Sequence, residues 1–521
     1  AEYTGKIQGT KRMISAIFAF NASWKDQVYV DVTGRNDWSS ALVYTNATGN
    51  HSYFYPSISG SWLMNNTIKM PDWISLAKIR ASWAQVGNDT DPYSINQGFS
   101  VGSIKTSSGN IYTNNFSSNT LYDPSLKPER KTSWEVGLDF RVLNDRIGLD
   151  ATYYKENTKD QIMSIAVPSV SGIGSKKINA GNIQNSGVEI GLKTVPWRNK
   201  DWEWGVDVTF TKNTSKIVEL HPDVANYIAL QGQVGEYDYK IGSVAKVGGP
   251  YGVLMTNIMP DKDENGNTLL RWNQSVRGAY IKQSGEVEEI GDVNPDFLSS
   301  LSTSLRWKDL SLRVALDARV GGYVAIYPNR YGNGTGATGT SLRYRDEAHG
   351  GVTWTSKWMN EDGSQSQSYG ITYHDGVIPE GVFQPNTTAT CLDGVKRDLS
   401  GMSYKECVEK GWLEPTHAGV WTQYINDWGA GVVNDDWVHK LSYIALREVT
   451  LSYTFPKSIA AKIGTRSLGC SLSGRNLCYL YNSLPNNVNP ESVRGNRSGE
   501  FRIRSYNPYT ASFMFTINAE F

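Results

Sequence analysis

The chain has 521 residues, with 51 lysines and arginines against 51 aspartates and glutamates, so its formal net charge is zero. A nucleic-acid binder would carry a basic excess, which sets that class aside, and 39% hydrophobic against 20% charged residues excludes a disordered chain. No run reaches the ~18 consecutive apolar residues of a transmembrane helix, but a membrane-spanning strand is apolar only at alternate positions and escapes that limit. The opening Ala-Glu-Tyr-Thr-Gly-Lys lacks a charged start and an apolar core, so no leader is read there; a cut precursor or an internal piece is expected. Fifty glycines, 19 prolines, 29 tyrosines and 17 tryptophans favour strands and turns over helices.

Taken in chain order, period-2 alternation predicts thirteen strands, at 12–24, 27–38, 53–64, 77–87, 132–142, 146–160, 184–197, 201–215, 297–307, 310–324, 442–455, 467–480 and 509–521. Trp134, Val136, Leu138, Phe140 and Val142 alternate with Glu135, Gly137, Asp139 and Arg141; Trp202, Trp204, Val206, Val208 and Phe210 alternate with Glu203, Gly205, Asp207 and Thr209. Successive side chains of an extended chain point to opposite sides, so each segment has one apolar and one polar face. The class is all-β.

The connections alternate between tight turns (142–146, 198–201, 307–310) and long excursions (161–183, 216–296, 325–441). That rhythm, with strands of ~11–14 residues, matches an antiparallel transmembrane β-barrel with short periplasmic turns and long extracellular loops. Tyr153, Tyr154, Trp197, Trp202 and Trp307 are expected near strand ends, as an interfacial girdle requires. The competing reading is a soluble all-β carbohydrate-binding or propeller module. An odd strand count starts and ends on the same side, whereas barrels of this kind usually have an even number. An open sheet also leaves edges that lipid forbids, so further strands are expected to complete the wall.

Eight ordered motifs make the chain resemble the SusC-type (starch-utilisation-system) TonB-dependent transporters of the Gram-negative outer membrane. They are Thr33–Ser40, read as a turn, Tyr55–Ser59, Lys78–Asn88, Leu126–Arg130 with Trp134–Gly137, Asn179–Ile183 with Asn185–Glu189, Ile290–Phe297, Ser442–Arg447 and Ser473–Leu477. Trp38 stands where the family usually has Gly, and Arg475 where Gln is common; both departures are expected to touch turns. The resemblance implies that residues 1–521 are the C-terminal portion of a barrel of about 22 strands. The plug, the TonB-contacting box and the first strands would lie upstream. It also implies a SusD-type surface lipoprotein as partner, energy from the TonB complex, and uptake of oligosaccharides or, less commonly, peptides. Phe521 resembles the C-terminal aromatic that hands outer-membrane barrels to their assembly machinery.

No catalytic set, metal-ligand spacing or cofactor motif is read, and the expectation is a non-enzyme. Gly334, Gly336 and Gly339 spell the dinucleotide fingerprint, but Pro328 interrupts the strand that should precede it, and a loop is expected. Asp261–Gly266 imitates a calcium loop, yet Trp272 occupies the position that needs a bidentate Glu, so a polar turn is expected. Cys391 and Cys407 lie in the longest loop, where an oxidising exterior permits a disulfide; Cys470 and Cys478, ~26 Å apart along one strand, cannot pair. The loop region 325–441 also holds Trp354, Trp358, Trp412, Trp421, Trp428 and Trp437, candidate contacts for a sugar or a docking partner.

Overall fold

Two-faced strands are stable only when each backbone is paired on both sides and each face meets its own solvent, and the chain is organised around that need. The computed structural model describes residues 10–521 apart from 45, 93–94, 97, 117, 124, 167–172, 223, 225–226, 232–240, 427–436, 494–498 and 506–507. Among the described residues, thirteen strands follow one another in an antiparallel wall in strict chain order. They are β1 (Met13–Trp24), β2 (Val28–Ser39), β3 (Ser52–Leu63), β4 (Ile74–Asn88), β5 (Glu129–Val142), β6 (Ile147–Ala166) and β7 (Ser175–Arg198). The wall continues with β8 (Trp202–Glu219), β9 (Phe297–Trp307), β10 (Leu310–Ile326), β11 (Val438–Thr454), β12 (Ser467–Asn482) and β13 (Ser512–Glu520). No described helix is long and apolar enough to cross a membrane.

Turn chemistry explains the tight side. Lys25 and Asp26 both take positive φ, 51° and 53°, as the mirror-image hairpin turn requires if its twist is to match the strands. At the β7–β8 turn the Asn199 side-chain oxygen accepts from the Asp201 and Trp202 N–H groups at 2.9 and 2.7 Å. Asn favours such turns because its side chain can take the place of a backbone acceptor.

The outer face is apolar and uncovered. Register aligns Trp197, Trp204, Leu305, Leu312, Leu451, Leu472 and Phe515 in one unbroken row across β7 to β13. Their exposures run from 39% to 66%. A second row, Phe140, Leu149, Leu192, Val208, Leu301, Leu316 and Leu446, crosses β5 to β11 above it. One position along from the first row, the opposite face carries Ser473, Thr450, Arg313 and Ser304. Covering one such apolar row is worth on the order of 10–20 kcal/mol, which hydrocarbon supplies and water does not. Near the turns Trp202 stacks on Trp307, with ring centroids 5.8 Å apart.

The structure corrects several expectations. The excursion 161–183 is mostly strand, since β6 runs to Ala166 and β7 begins at Ser175. Residues such as Lys159, Gln161, Lys176 and Lys177 are polar on both faces, so alternation disappears while pairing continues. The extension places Tyr153 and Tyr154 in mid-strand, away from any end. Thr33–Ser39 belongs to β2, where Arg35 and Asp37 share a face and pair at 2.7 Å. Trp38 is therefore a strand residue, and Arg475 flanks a register shift within β12. The third excursion spans 327–437, between the ends of β10 and β11.

A charge on the outer face should cost in proportion to its depth. Leu192→Arg, six residues up from the turn, is expected to destabilise the lipid-inserted wall by about 2–4 kcal/mol, and Leu451→Arg, three from its turn, by ~0–1 kcal/mol. Urea unfolding in lipid vesicles measures both. Equal effects, or none, would place these rows away from lipid.

Candidate functional site

The polar inner face is built on glycines. Arg80 of β4 lies directly across from Gly137 of β5, which in turn faces Thr152 of β6. The Arg80 side chain crosses the bare glycine to hold the Asp150 carboxylate with both terminal nitrogens, at 2.9 and 2.7 Å, and also donates to the Thr152 hydroxyl at 2.6 Å. A Cβ on Gly137 would stand 2.5 Å from the Arg80 Nε. The device recurs at Gly187, which Tyr154 of β6 crosses so that its hydroxyl donates to Asn213 of β8 at 3.0 Å. Two motifs further along close on one another. The Asn179 amide donates to the carbonyls of Lys127 and Asp160 at 2.7 Å each and accepts from the Lys127 N–H at 2.7 Å.

On the loop side, the segment after β12 folds back so that Leu484, Val488 and Ile503 cover Tyr443 and Ala445 of β11. Glu491 fixes it there, accepting from both Arg447 terminal nitrogens at 2.8 and 2.7 Å. That bidentate contact holds the Glu491 carboxyl below its ordinary range.

The two longest excursions fold together into a lobe. Leu269 and Leu270 pair in parallel with Val382 and Phe383, and Leu270, Trp358, Phe383, Leu399, Tyr404 and Leu413 form its core. The buried Tyr404 hydroxyl donates to the Glu414 carbonyl at 2.8 Å, and burial raises its pKa. A separate four-stranded sheet, Tyr227–Gln231, Ile241–Lys246, Tyr251–Thr256 and Glu288–Asp292, packs through Ile241 and Leu254 on Ala325 of β10 and Val438 of β11.

The structure divides the six tryptophans. Trp421 and Trp437 are 4% and 2% exposed, packed in separate cores, so neither offers a face to a ligand. Trp358 is also core, at 4%, with its ring covered by the Arg277 guanidinium 4.9 Å from the centroid. Trp412 packs on the lobe core between Arg397 and Lys410. Trp428 lies outside the described residues. Trp354 stands half-buried beside a cleft of about 580 Å3, which the edge of Trp358 also lines. Its ring lies 5.1 Å from that of Tyr373 and 5.0 Å from that of His417. Sequence reasoning missed Tyr373, His417, Arg277 and Glu414, which converge from separate segments. The run Gln365-Ser366-Gln367-Ser368 on the same cleft was a usable signal.

Cys391 and Cys407, expected to pair, meet in the lobe core but carry free thiols. Burial pushes Cys391 up and Cys407 up to about 11. Phe521 is 82% exposed and continues the apolar face of Phe513, Phe515 and Ile517. The segment Tyr327–Gly334 is a helix with Pro328 in its first turn. The glycine run thus follows a helix where the dinucleotide site needs one to begin. Asp263 caps its own turn, accepting from the Asn265 and Asn267 N–H groups at 2.9 and 2.8 Å. Lys282 pairs with Asp261 at 2.6 Å, which leaves a polar turn.

A wall apolar outside, polar inside and crowned by folded loops is that of an outer-membrane β-barrel. The family described as "TonB dependent receptor-like, beta-barrel" matches residues 7–269, just over half of the sequence, and the chain belongs to it. The TonB-dependent receptor P3 of Formosa agariphila is 27% identical over 60% of this chain and 32% of its own length. The TonB-dependent receptor SusC of Bacteroides thetaiotaomicron is 24% identical over 60% of this chain and 31% of its own. Among solved structures, the RagAB peptide transporter superposes with a TM-score of 0.64 at 18% identity, covering 97% of this chain and 47% of that one. The chain thus spans about half the length of the solved chain it matches, and its place is the outer membrane.

Two outcomes test this site. Gly137→Ala should displace Arg80 and cost about 1–3 kcal/mol in vesicle unfolding, while the same change at the open turn residue Gly464, whose φ is +74°, should cost ~1 kcal/mol through backbone strain alone. Native protein should leave Cys391 and Cys407 unlabelled by iodoacetamide at pH 8, and denaturation without reductant should label both, as intact-mass analysis reads. A disulfide would keep both unlabelled after denaturation.

Proposed function

We propose that this chain forms the greater part of the wall and the mouth of a SusC-type importer that takes up oligosaccharides with energy from the TonB complex. The uncovered apolar rows set against a polar inner face carry the reading, because only a wall between hydrocarbon and an aqueous lumen stabilises both. The chain performs no bond chemistry; it supplies wall, loops and docking surface. On this reading the long excursions face the exterior and the tight turns face the periplasm.

In the described pairings β1 pairs only with β2 and β13 only with β12. Unpaired edges in lipid cost several kcal/mol per backbone group, which supports closure by further strands of the same protein. A plug within the lumen and a SusD-type lipoprotein over the mouth complete the proposal. Short peptides are the second substrate class, since RagAB, whose fold the chain shares, is a peptide transporter.

The native-length transporter, purified from outer membrane, should carry a lipoprotein identifiable by mass spectrometry, and cells should take up a labelled oligosaccharide only while TonB is present. Uptake indifferent to TonB, together with the absence of any lipoprotein, would overturn this reading.

A further inference from the structure

The cleft beside Trp354 belongs to neither the wall nor the cores, and its lining points to a ligand class. We propose that it is a subsite for one or two uncharged sugar rings, which stack on Trp354 and Tyr373 and place their hydroxyls on the Ser366–Ser368 edge. The inference rests on the importer reading in one respect, that the lobe faces the exterior.

The aromatic corner is rigid before anything binds. The Trp354 indole N–H donates to Glu414 at 3.2 Å, which fixes the ring plane. Tyr373 meets His417 edge to face at 4.6 Å, and Asp375 anchors His417 through Nδ1 at 3.1 Å. A fixed ring costs little entropy when a ligand stacks on it. Sugar rings present apolar C–H faces that suit such a surface.

The charges in the lining are already engaged. Glu414, 8% exposed, accepts with one oxygen from Trp354 and with the other from the Lys357 N–H. Arg277 donates to the Ser368 hydroxyl at 2.9 Å and lies over Trp358. Beside that guanidinium stand the Gln365 and Gln367 amides on exposed residues and the linked Ser356, Ser366 and Ser368 hydroxyls. Amides and hydroxyls both donate and accept, as sugar hydroxyls do. The volume, about 580 Å3, lies within the range of small-ligand clefts.

The test uses the full-length transporter in lipid nanodiscs, titrated by tryptophan fluorescence. The probes are malto-, cello-, laminari-, xylo- and mannohexaose, with trigalacturonate and a mixed decapeptide pool beside them. At least one neutral hexaose should bind. Tyr373→Ala should weaken it by ~10-fold or more, Gln367→Ala by ~3-fold or more, and Tyr373→Phe, which keeps the ring, should stay within ~3-fold of wild type. Unchanged heat-modifiability of each variant shows that the barrel is intact, and Gln367→Ala, at an exposed residue, reads the site even where Tyr373→Ala disturbs the lobe. Failure of every neutral hexaose, binding of trigalacturonate or peptides alone, or affinity indifferent to both alanine variants overturns the subsite. TonB-dependent uptake that survives those results leaves the importer standing; its loss in the wild type sinks the importer instead.

Discussion

Inside hydrocarbon a backbone N–H or C=O has no solvent partner, so each strand must find its hydrogen bonds on its two neighbours. The register of this wall meets that demand from β2 to β12, with local shifts at bulges such as the one at Asn182–Ile183. Once the ladder is fixed, side chains alternate with no freedom left, and each position meets lipid or lumen by parity alone. The apolar rows and the polar inner face are two results of one constraint.

That constraint also accounts for the glycines inside the motifs. Flat strands set side by side keep long polar side chains apart, unless an intervening position is bare. Gly137 and Gly187 each provide such a gap, and Arg80 and Tyr154 each span three strands through it. The inner face is thereby knitted crosswise to the ladder, while Asn179 ties the start of β5 to β7.

The wall was legible because two solvents impose two faces. Strands such as Trp134–Val142 alternate wherever lipid lies on one side, and all thirteen are found in order. Legibility fails where that contrast ends. Beyond the apolar rows Lys159–Gln161 and Ser175–Lys177 carry polar side chains on both faces, so paired strand looks like loop. Thr33–Ser39 carries turn-like residues whose charges are satisfied across the ladder. In the lobe, Leu270 meets Phe383 and Trp358 meets Arg277 across long stretches of sequence, and no local period announces such contacts. Counting tryptophans could not separate Trp354, beside the cleft, from Trp421 and Trp437, which hold cores together.

The lobe is assembled from two separate excursions, one leaving the wall between β8 and β9 and the other between β10 and β11, married through Leu269–Leu270 and Val382–Phe383. Their joint core takes Leu270 and Ala279 from the first and Trp358, Phe383, Leu399, Tyr404 and Leu413 from the second. A graft from a related receptor that replaced one excursion and kept the other would strand half of an apolar interface in water. A change of specificity that leaves the shared core whole must therefore exchange both segments together, or alter only the cleft residues outside that core.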